Sequence, residues 1–530
     1  MAKRVVVYAM LAIGAAALIA HSLVWNFVTD DAFISFVYSR NLAEAGQLVF
    51  NLGERVEGYT NFLWTVLLAG LLKLHLQPEI TSRVLGTAFA LATLLVCARL
   101  VRTVRRATTP SPCDALPALL LAASPGYACW ASGGLETQMF TFFVTAGAAR
   151  YLARALDDAA PDAGVGALFG LAALTRPEGI LFFALTLAHR GLALLARRRL
   201  LPTRGDLVAV AIFLALVAPH FVWRRAYYGW WLPNTFYIKA SGGAGTWGQG
   251  GYYLYRMAAA LEVWAVPPLA LLALLVARGD RGLRLLAGYA LLVVAVFYAY
   301  VASVGGDFMG LFRFALPVLP LLAVVLAASV NALGQRFSAR LAVPAAVLLT
   351  FAHVWHAFPV TRQARTIGAD RGIDTPGYLR WYTADRAAIG KWFGAHRRPD
   401  DFAAVGGAGA QVYYSRIPSL DCFGLSDEYV AHQVRAVSSR PGHQKYAPLD
   451  YQLRRRPTII TSNYYRCCAP QFGERPYVPS QAEAAEWDRR GYRYVGVVVP
   501  GLSFPYYSFL LRNDRELADA TAPPPPEREP

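Results

Sequence analysis

A polytopic bundle of membrane helices followed by an α/β domain is the fold class that three observations predict. Of the 530 residues, 56% are hydrophobic and 16% charged, a balance that an ordinary soluble chain of this length does not carry. Apolar runs long enough to cross a bilayer recur from residue 5 to residue 358. After Pro359 they give way to short strand-like and helical runs. The 51 Lys+Arg against 34 Asp+Glu give a net +17, which in a soluble protein would suggest an acidic partner. Here the arginines sit in short connections between apolar runs, so the excess reports topology. No nucleic-acid motif accompanies it.

The first run, Val5 to Val24, follows MAKR, and no small-residue cleavage site precedes TDDAFISF, so it reads as a retained span. The expected spans are residues 5–25, 80–101, 114–131, 138–155, 163–175, 179–195, 206–223, 258–277, 284–303, 312–332 and 341–358, about eleven in all. Residues 163–195 could form one kinked helix around Pro177 or a hairpin. The hairpin puts Lys3/Arg4, Arg102/Arg105/Arg106, Arg197/Arg198/Arg199, Arg278/Arg281/Arg284 and Arg336/Arg340 on a single face, and charge therefore selects it. Asn61 to Leu76 is apolar but short and carries Lys73 and His75. An interfacial or re-entrant helix there keeps residues 26–79 as one outer loop.

Residues 1–359 thus read as a transmembrane domain, residues 360–520 as a soluble α/β domain on the outer side and residues 521–530 as a disordered tail. In the soluble part the expected elements are a helix at Trp381 to His396, strands at Phe402 to Tyr414, Pro457 to Ser462 and Tyr494 to Val499, and a helix at Gln481 to Arg490. Cys97, Cys113 and Cys129 lie in or near apolar runs. Cys422, Cys467 and Cys468 lie near the other end, where one disulfide or free thiols are equally compatible with the sequence. No Cys/His spacing suggests zinc.

Function concentrates on Thr29 to Gly46, where Asp30 and Asp31 follow the first span. Adjacent acids at a membrane face are costly unless solvated, paired or functional. They also suit the first turn of a helix, and the two roles can coexist. With the topology above, the same face receives GERVEGYTNF (Gly53 to Phe62), SGGLETQMF (Ser132 to Phe140), LTRPEG (Leu174 to Gly179), YYGWWLPNTFYIK (Tyr227 to Lys239) and VGGDFMGLFRF (Val304 to Phe314). Nearly all of these loops carry an ionisable residue, whereas the opposite connections are plain arginine-rich stops, and this predicts one shared outer site. A carboxylate there can take the proton of an acceptor hydroxyl. Arg176, Arg224, Lys239 and Arg313 are the cations that could hold a departing lipid phosphate. Tyr59, Trp64, Tyr227, Trp230, Trp231 and Tyr237 offer faces for sugar stacking, although an interfacial aromatic belt is the simpler account of that cluster.

TDDAFISFVYSRNLAEAGQLVFNLGERVEGYTNFLW, followed by LETQMF, LTRPEG, YYGWWLPNTFY and GGDFMGLFRF, resembles the integral-membrane GT-C glycosyltransferases of the mycobacterial terminal β-(1→2)-arabinofuranosyltransferase type. GLSDEYVAH (Gly424 to His432) and PGHQKYAP (Pro441 to Pro448) are similar to that family too. The resemblance implies a polyprenyl-phosphate sugar donor, arabinofuranose in the mycobacterial members, and transfer to a cell-envelope glycan or glycoconjugate outside the cytoplasmic membrane of a bacterium. It implies Asp30 and Asp31 as the catalytic acids. Donor and substrate contacts are expected from Glu57, Tyr59, Asn61, Glu136, Arg176, Glu178, Tyr228, Asn234, Tyr237, Lys239, Asp307, Arg313 and His443. No metal or cofactor is needed if Arg and Lys hold the phosphate, a divalent ion at Asp30/Asp31 being the alternative. A lipid-linked sugar transporter is the rival class, but internal repeats and mid-span charges, its usual marks, are not evident.

Overall fold

The computed structural model describes residues 2–198, 201–239, 244–261, 280–336, 339–438, 440, 442–461 and 471–517. Its first half is a run of helices: α1 (Ala2–Trp25), α2 (Asp30–Ala45), α3 (Phe62–Lys73), α4 (Pro78–Val104), α5 (Pro112–Ala123), α6 (Pro125–Cys129), α7 (Thr137–Leu156), α8 (Ala163–Thr175), α9 (Gly179–Ala196), α10 (Arg204–Tyr228), α11 (Asn234–Lys239) and α12 (Ala244–Leu261). Helices Arg281–Ser303, Leu319–Arg336 and Ala339–Ala364 follow. Among the described residues six helices are long and apolar enough to cross a membrane: Arg4–Trp25, Pro78–Val104, Gly179–Ala196, Arg204–Tyr228, Arg281–Ser303 and the stretch Arg313–Gln335. The expected span 258–277 lies outside the described residues from 262 onward.

Local chemistry sets the helix ends. Ser111/Asp114 and Thr203/Asp206 form capping boxes that satisfy the first amides of α5 and α10. Asp162 accepts from the Val165 amide to start α8. The run expected as one span over 114–131 is instead broken at Ser124, whose extended backbone (ψ 118°) precedes Pro125; a residue before proline is driven out of the helical region. The α8–α9 hairpin is as the charges predict. Its turn needs Gly179, where a Cβ would sit 2.3 Å from the Ala173 nitrogen.

Ion pairs gather the basic ends on one face. Asp158, after α7, pairs with both Arg197 at the end of α9 and Arg281 at the start of Arg281–Ser303, and Arg106 after α4 donates to the Leu156 carbonyl. At the opposite face Arg83 Nη2 donates to Asn26 Oδ1 at 2.8 Å, so the chain from residue 26 returns to the side it left and α3 makes no net crossing. Residues 26–77 thus connect two neighbouring helix ends, α1 and α4, where the sequence reading placed an outer loop over 26–79.

The C-terminal part begins with the hairpin β1 (Ala369–Asp370) and β2 (Ile373–Asp374) and the helix Pro376–His396, capped by Thr375. A mixed sheet follows, with β3 (Ala403–Val405), β4 (Ser419–Asp421), β5 (Ile459–Ile460), β6 (Gln471–Gly473), β7 (Tyr492–Val498) and β8 (Tyr506–Arg512). Its order is β4-β3-β5-β8-β6, with β7 also paired to β8; the β4-β3-β5 pairs are parallel and the β8 pairs antiparallel. The strand expected over Phe402 to Tyr414 is corrected: it stops at Val405, turns through Gly406 to Gly409, and becomes the short helix Ala410–Ser415. Three glycines in four residues cannot hold a strand against that turn. Helix Gln481–Arg489 and the strand Tyr492–Val498 match the expected elements closely. Ser462, Cys467, Cys468 and the tail lie outside the described residues, while Cys422 is buried.

The two parts share a tight interface built on α2 and its loop. Phe33 and Phe36 pack on Tyr413, and Arg40 Nη1 donates to the Tyr413 carbonyl at 2.6 Å. Asn51 exchanges two 2.9 Å hydrogen bonds with the backbone of Ser419, so it extends the sheet edge as a peptide would.

Candidate active site

At this interface lies a cavity of about 210 Å³. Of the sequence-predicted residues, Asp30, Asp31, Tyr59, Asn61, Glu136, Arg176, Asp307, Arg313 and His443 line it. They come from five segments that the topology placed on one face and from the C-terminal part.

Asp30 and Asp31 open α2 behind Thr29, whose side chain makes no capping bond. Their environments differ. Asp30 is buried, and its Oδ1 accepts from the Ala410 amide at 2.8 Å. A Cβ at Gly409 would fall 2.1 Å from the Asp30 carbonyl oxygen and 2.5 Å from its carboxylate, so the glycine turn after β3 is pressed onto this acid. Burial pushes the Asp30 carboxyl above the usual range, opposed by the Ala410 amide and by Arg386. Asp31 is less buried, lines the cavity and lies within the electrostatic reach of Arg313.

Across from Asp31 the charges form a chain. Arg176 Nη1 reaches Glu136 Oε1 at 2.7 Å, and its other face takes Glu178 in a bidentate pair at 3.1 and 3.2 Å. Asn61 Nδ2 donates to Glu136 Oε2 at 2.8 Å and its Oδ1 accepts from Ser35 and Thr65. Burial works to raise the Glu136 carboxyl, but Arg176, Arg313 and Asn61 outweigh it and hold it below its usual value. Arg313 Nη2 reaches Asp307 Oδ2 at 2.9 Å, and its guanidinium lies over the Trp130 ring.

Glu57, Glu178, Tyr228, Asn234 and Tyr237 sit behind this wall instead of lining the cavity. Glu57 Oε2 lies 2.7 Å from Arg224 Nε, at an angle that makes an ion pair without a hydrogen bond. Arg224 is thereby withdrawn from the cavity and is not available to a phosphate there. Burial pushes Glu57 up to about 7 despite Arg224. Tyr228 supports Tyr59 from behind, with their hydroxyls 3.1 Å apart, and donates to the Leu48 carbonyl at 2.6 Å. The Asn234 amide donates to the Glu57 carbonyl, and Tyr237 packs with Trp230 on His432. These contacts pin the segment after α10 to the C-terminal part. The side chain of Lys239 lies outside the described residues.

Sequence reasoning missed the C-terminal wall: Tyr378, Tyr382, Asp421 and above all Asp374 and Arg440, which pair at 2.6 Å. Only GLSDEYVAH, whose Leu425 lines the cavity, and PGHQKYAP, which begins one residue after Arg440, hinted at it. Among the described residues no group of three His, Cys, Asp or Glu side chains is arranged to hold a metal ion.

Residues 66–223 match the dolichyl-phosphate-mannose-protein mannosyltransferase family, and residues 377–511 match a domain of unknown function. The terminal β-(1→2)-arabinofuranosyltransferase of Corynebacterium glutamicum is 29% identical over 342 residues, covering 58% of this chain and 48% of that protein. The chain thus spans about half the length of the curated relative it matches. Two crystal structures of ArnT from Cupriavidus metallidurans share the fold. The one bound to undecaprenyl phosphate has a TM-score of 0.53 at 16% identity, over 78% of this chain and 85% of ArnT. The apo structure has a TM-score of 0.55 at 14% identity, over 97% and 99%. The chain thus shares the fold of ArnT, carries over residues 66–223 a segment similar to the dolichyl-phosphate-mannose-protein mannosyltransferase family, and is similar in sequence to a terminal β-(1→2)-arabinofuranosyltransferase.

Proposed function

We propose that the chain transfers a sugar, arabinofuranose on the strength of its resemblance, from a polyprenyl-phosphate donor to a cell-envelope glycan outside the bacterial cytoplasmic membrane. The observation that carries this reading is the placing of Asp31 in one cavity with Arg176 and Arg313, at the junction of the helix bundle and the soluble part. Likeness to ArnT bound to undecaprenyl phosphate supports a lipid-linked donor.

In this reading Asp31 is the base. It takes the proton of the acceptor hydroxyl as that oxygen bonds to the anomeric carbon, and the bond from that carbon to the phosphate oxygen breaks. The polyprenyl phosphate leaves with the electron pair. Arg176 and Arg313 stabilise the charge that develops on it, their carboxylate partners Glu136 and Asp307 fixing them in place beforehand. Asp30 is a positioning residue: its bond to Ala410 sets the first turn of α2 and seats the soluble part over the cavity. The chemistry needs no metal, and full transfer in the presence of EDTA is expected.

The test offers purified protein in detergent synthetic decaprenyl-phosphoryl arabinofuranose and a short arabinan. Transfer with release of decaprenyl phosphate supports the reading. Neither transfer nor release from this or any other polyprenyl-phosphate sugar overturns it.

A further inference from the structure

The cavity has two walls of different origin, and they do different chemistry. The helix-bundle wall carries Asp31, Glu136, Arg176 and Arg313, while the other carries Asp374, Arg440 and His443. A donor with a lipid tail must reach the site from the bundle, whereas a polar acceptor arrives past the soluble part. Taking the transferase reading as its basis, we propose that Asp374 and Arg440 recognise the end of the acceptor, and that this acceptor is a neutral, hydroxyl-rich sugar.

The pair stands on a rigid mount. The Asp374 amide donates to the Phe308 carbonyl at 2.6 Å and its carbonyl accepts from Gly310 at 2.7 Å, so β2 is stitched to the loop that supplies Asp307 and Arg313. A Cβ at Gly310 would lie 2.5 Å from the Asp374 carbonyl oxygen, which leaves that junction no slack. Asp374 is 4% exposed and its Oδ2 accepts from Arg440 Nη2 at 2.6 Å. Arg440 Nε is buried with no hydrogen-bond partner among the described residues. Its guanidinium lies over the Phe308 ring, and His443 meets Phe308 and Phe423 edge-on. A carboxylate that accepts and a guanidinium that donates, side by side and next to aromatic rings, match adjacent hydroxyls and the C–H face of a sugar.

Charge decides the class. At this end Asp307 is answered by Arg313 and Asp374 by Arg440, while Asp421, which also lines the cavity, accepts the Phe423 and Ser426 amides and has no ion pair among the described residues. A phosphorylated or carboxylated acceptor would meet repulsion there, and a neutral polyol meets acceptors for its hydroxyl hydrogens.

The experiment is isothermal titration of the full chain in detergent with a short neutral arabino-oligosaccharide and with the same oligosaccharide carrying a terminal phosphate. Arg440→Gln should weaken the neutral sugar about tenfold or more, with Arg440→Lys intermediate. Asp374→Asn is the second variant, and the unfolding midpoint with retained binding of decaprenyl phosphate shows that each variant is folded. Equal affinity in native protein and Arg440→Gln, tighter binding of the phosphorylated sugar, or no binding of the neutral one would overturn the proposal. Failure of the native protein to turn over any lipid-linked sugar would instead count against the transferase reading, because the titration does not depend on turnover.

Discussion

The arginine-rich face and the cavity-bearing face both hold acid–arginine pairs, and they differ in what else the acids do. At the arginine-rich end Asp114 and Asp206 pair with Arg105 and Arg190 while also accepting the backbone amides of Ser111 and Thr203. Each is wholly consumed in starting a helix. At the cavity Glu136, Asp307 and Asp374 hold Arg176, Arg313 and Arg440 around an open space. The same pair of groups therefore serves as a lock in one place and as a set of oriented charges in the other. What separates them is whether a cavity remains beside the pair.

That contrast can be broken at either end. The largest effect is expected from Asp31→Asn, which should cut transfer by about 10²- to 10⁴-fold with an unchanged unfolding midpoint, read by initial rates and thermal melting. Gly409→Ala pushes a methyl into Asp30, and a loss of transfer of about tenfold or more should accompany weaker docking of the C-terminal part, seen as faster proteolysis after α2. Asp206→Asn leaves Arg190 buried without its counter-charge, so it should lose about 3 kcal/mol of stability while the rate per folded molecule stays near native.

Glu57 gives a pH test. Its folded value of about 7 lies above the usual 4.5, so the fold favours the protonated acid. That stabilisation is present at low pH and is lost as pH rises from about 4.5 to about 7. The unfolding midpoint should decline over that window, and Glu57→Gln, still facing Arg224, Tyr59 and Tyr228, should flatten the decline. The smallest effect is expected at the half-exposed Arg150–Asp162 pair, where Arg150→Gln should cost less than about 1 kcal/mol and leave transfer untouched.

Much of this was legible in the sequence because it rests on local rules. Apolar run length marked α1 and α4, arginine distribution selected the α8–α9 hairpin, and the unusual loops on the other face announced Asp31, Glu136, Arg176 and Arg313 together. Even the break at Ser124 was written in Pro125, although the apolar run around it concealed the signal. What stayed hidden depends on contacts between distant parts of the chain. Nothing near Asp30 reveals that its partner is an amide 380 positions away, and the Asp374–Arg440 pair joins two ordinary-looking loops across 66 positions. Glu57 and Arg224 each looked like site residues until their burial beside one another withdrew both from the cavity.

The most direct measurement is the transfer rate per folded molecule in Asp31→Asn set beside that in Asp206→Asn. A collapsed rate in the first and a near-native rate in the second would bear out the division between charges that face a reaction space and charges that lock helices. A near-native rate in Asp31→Asn, or an equal collapse in both, would contradict it.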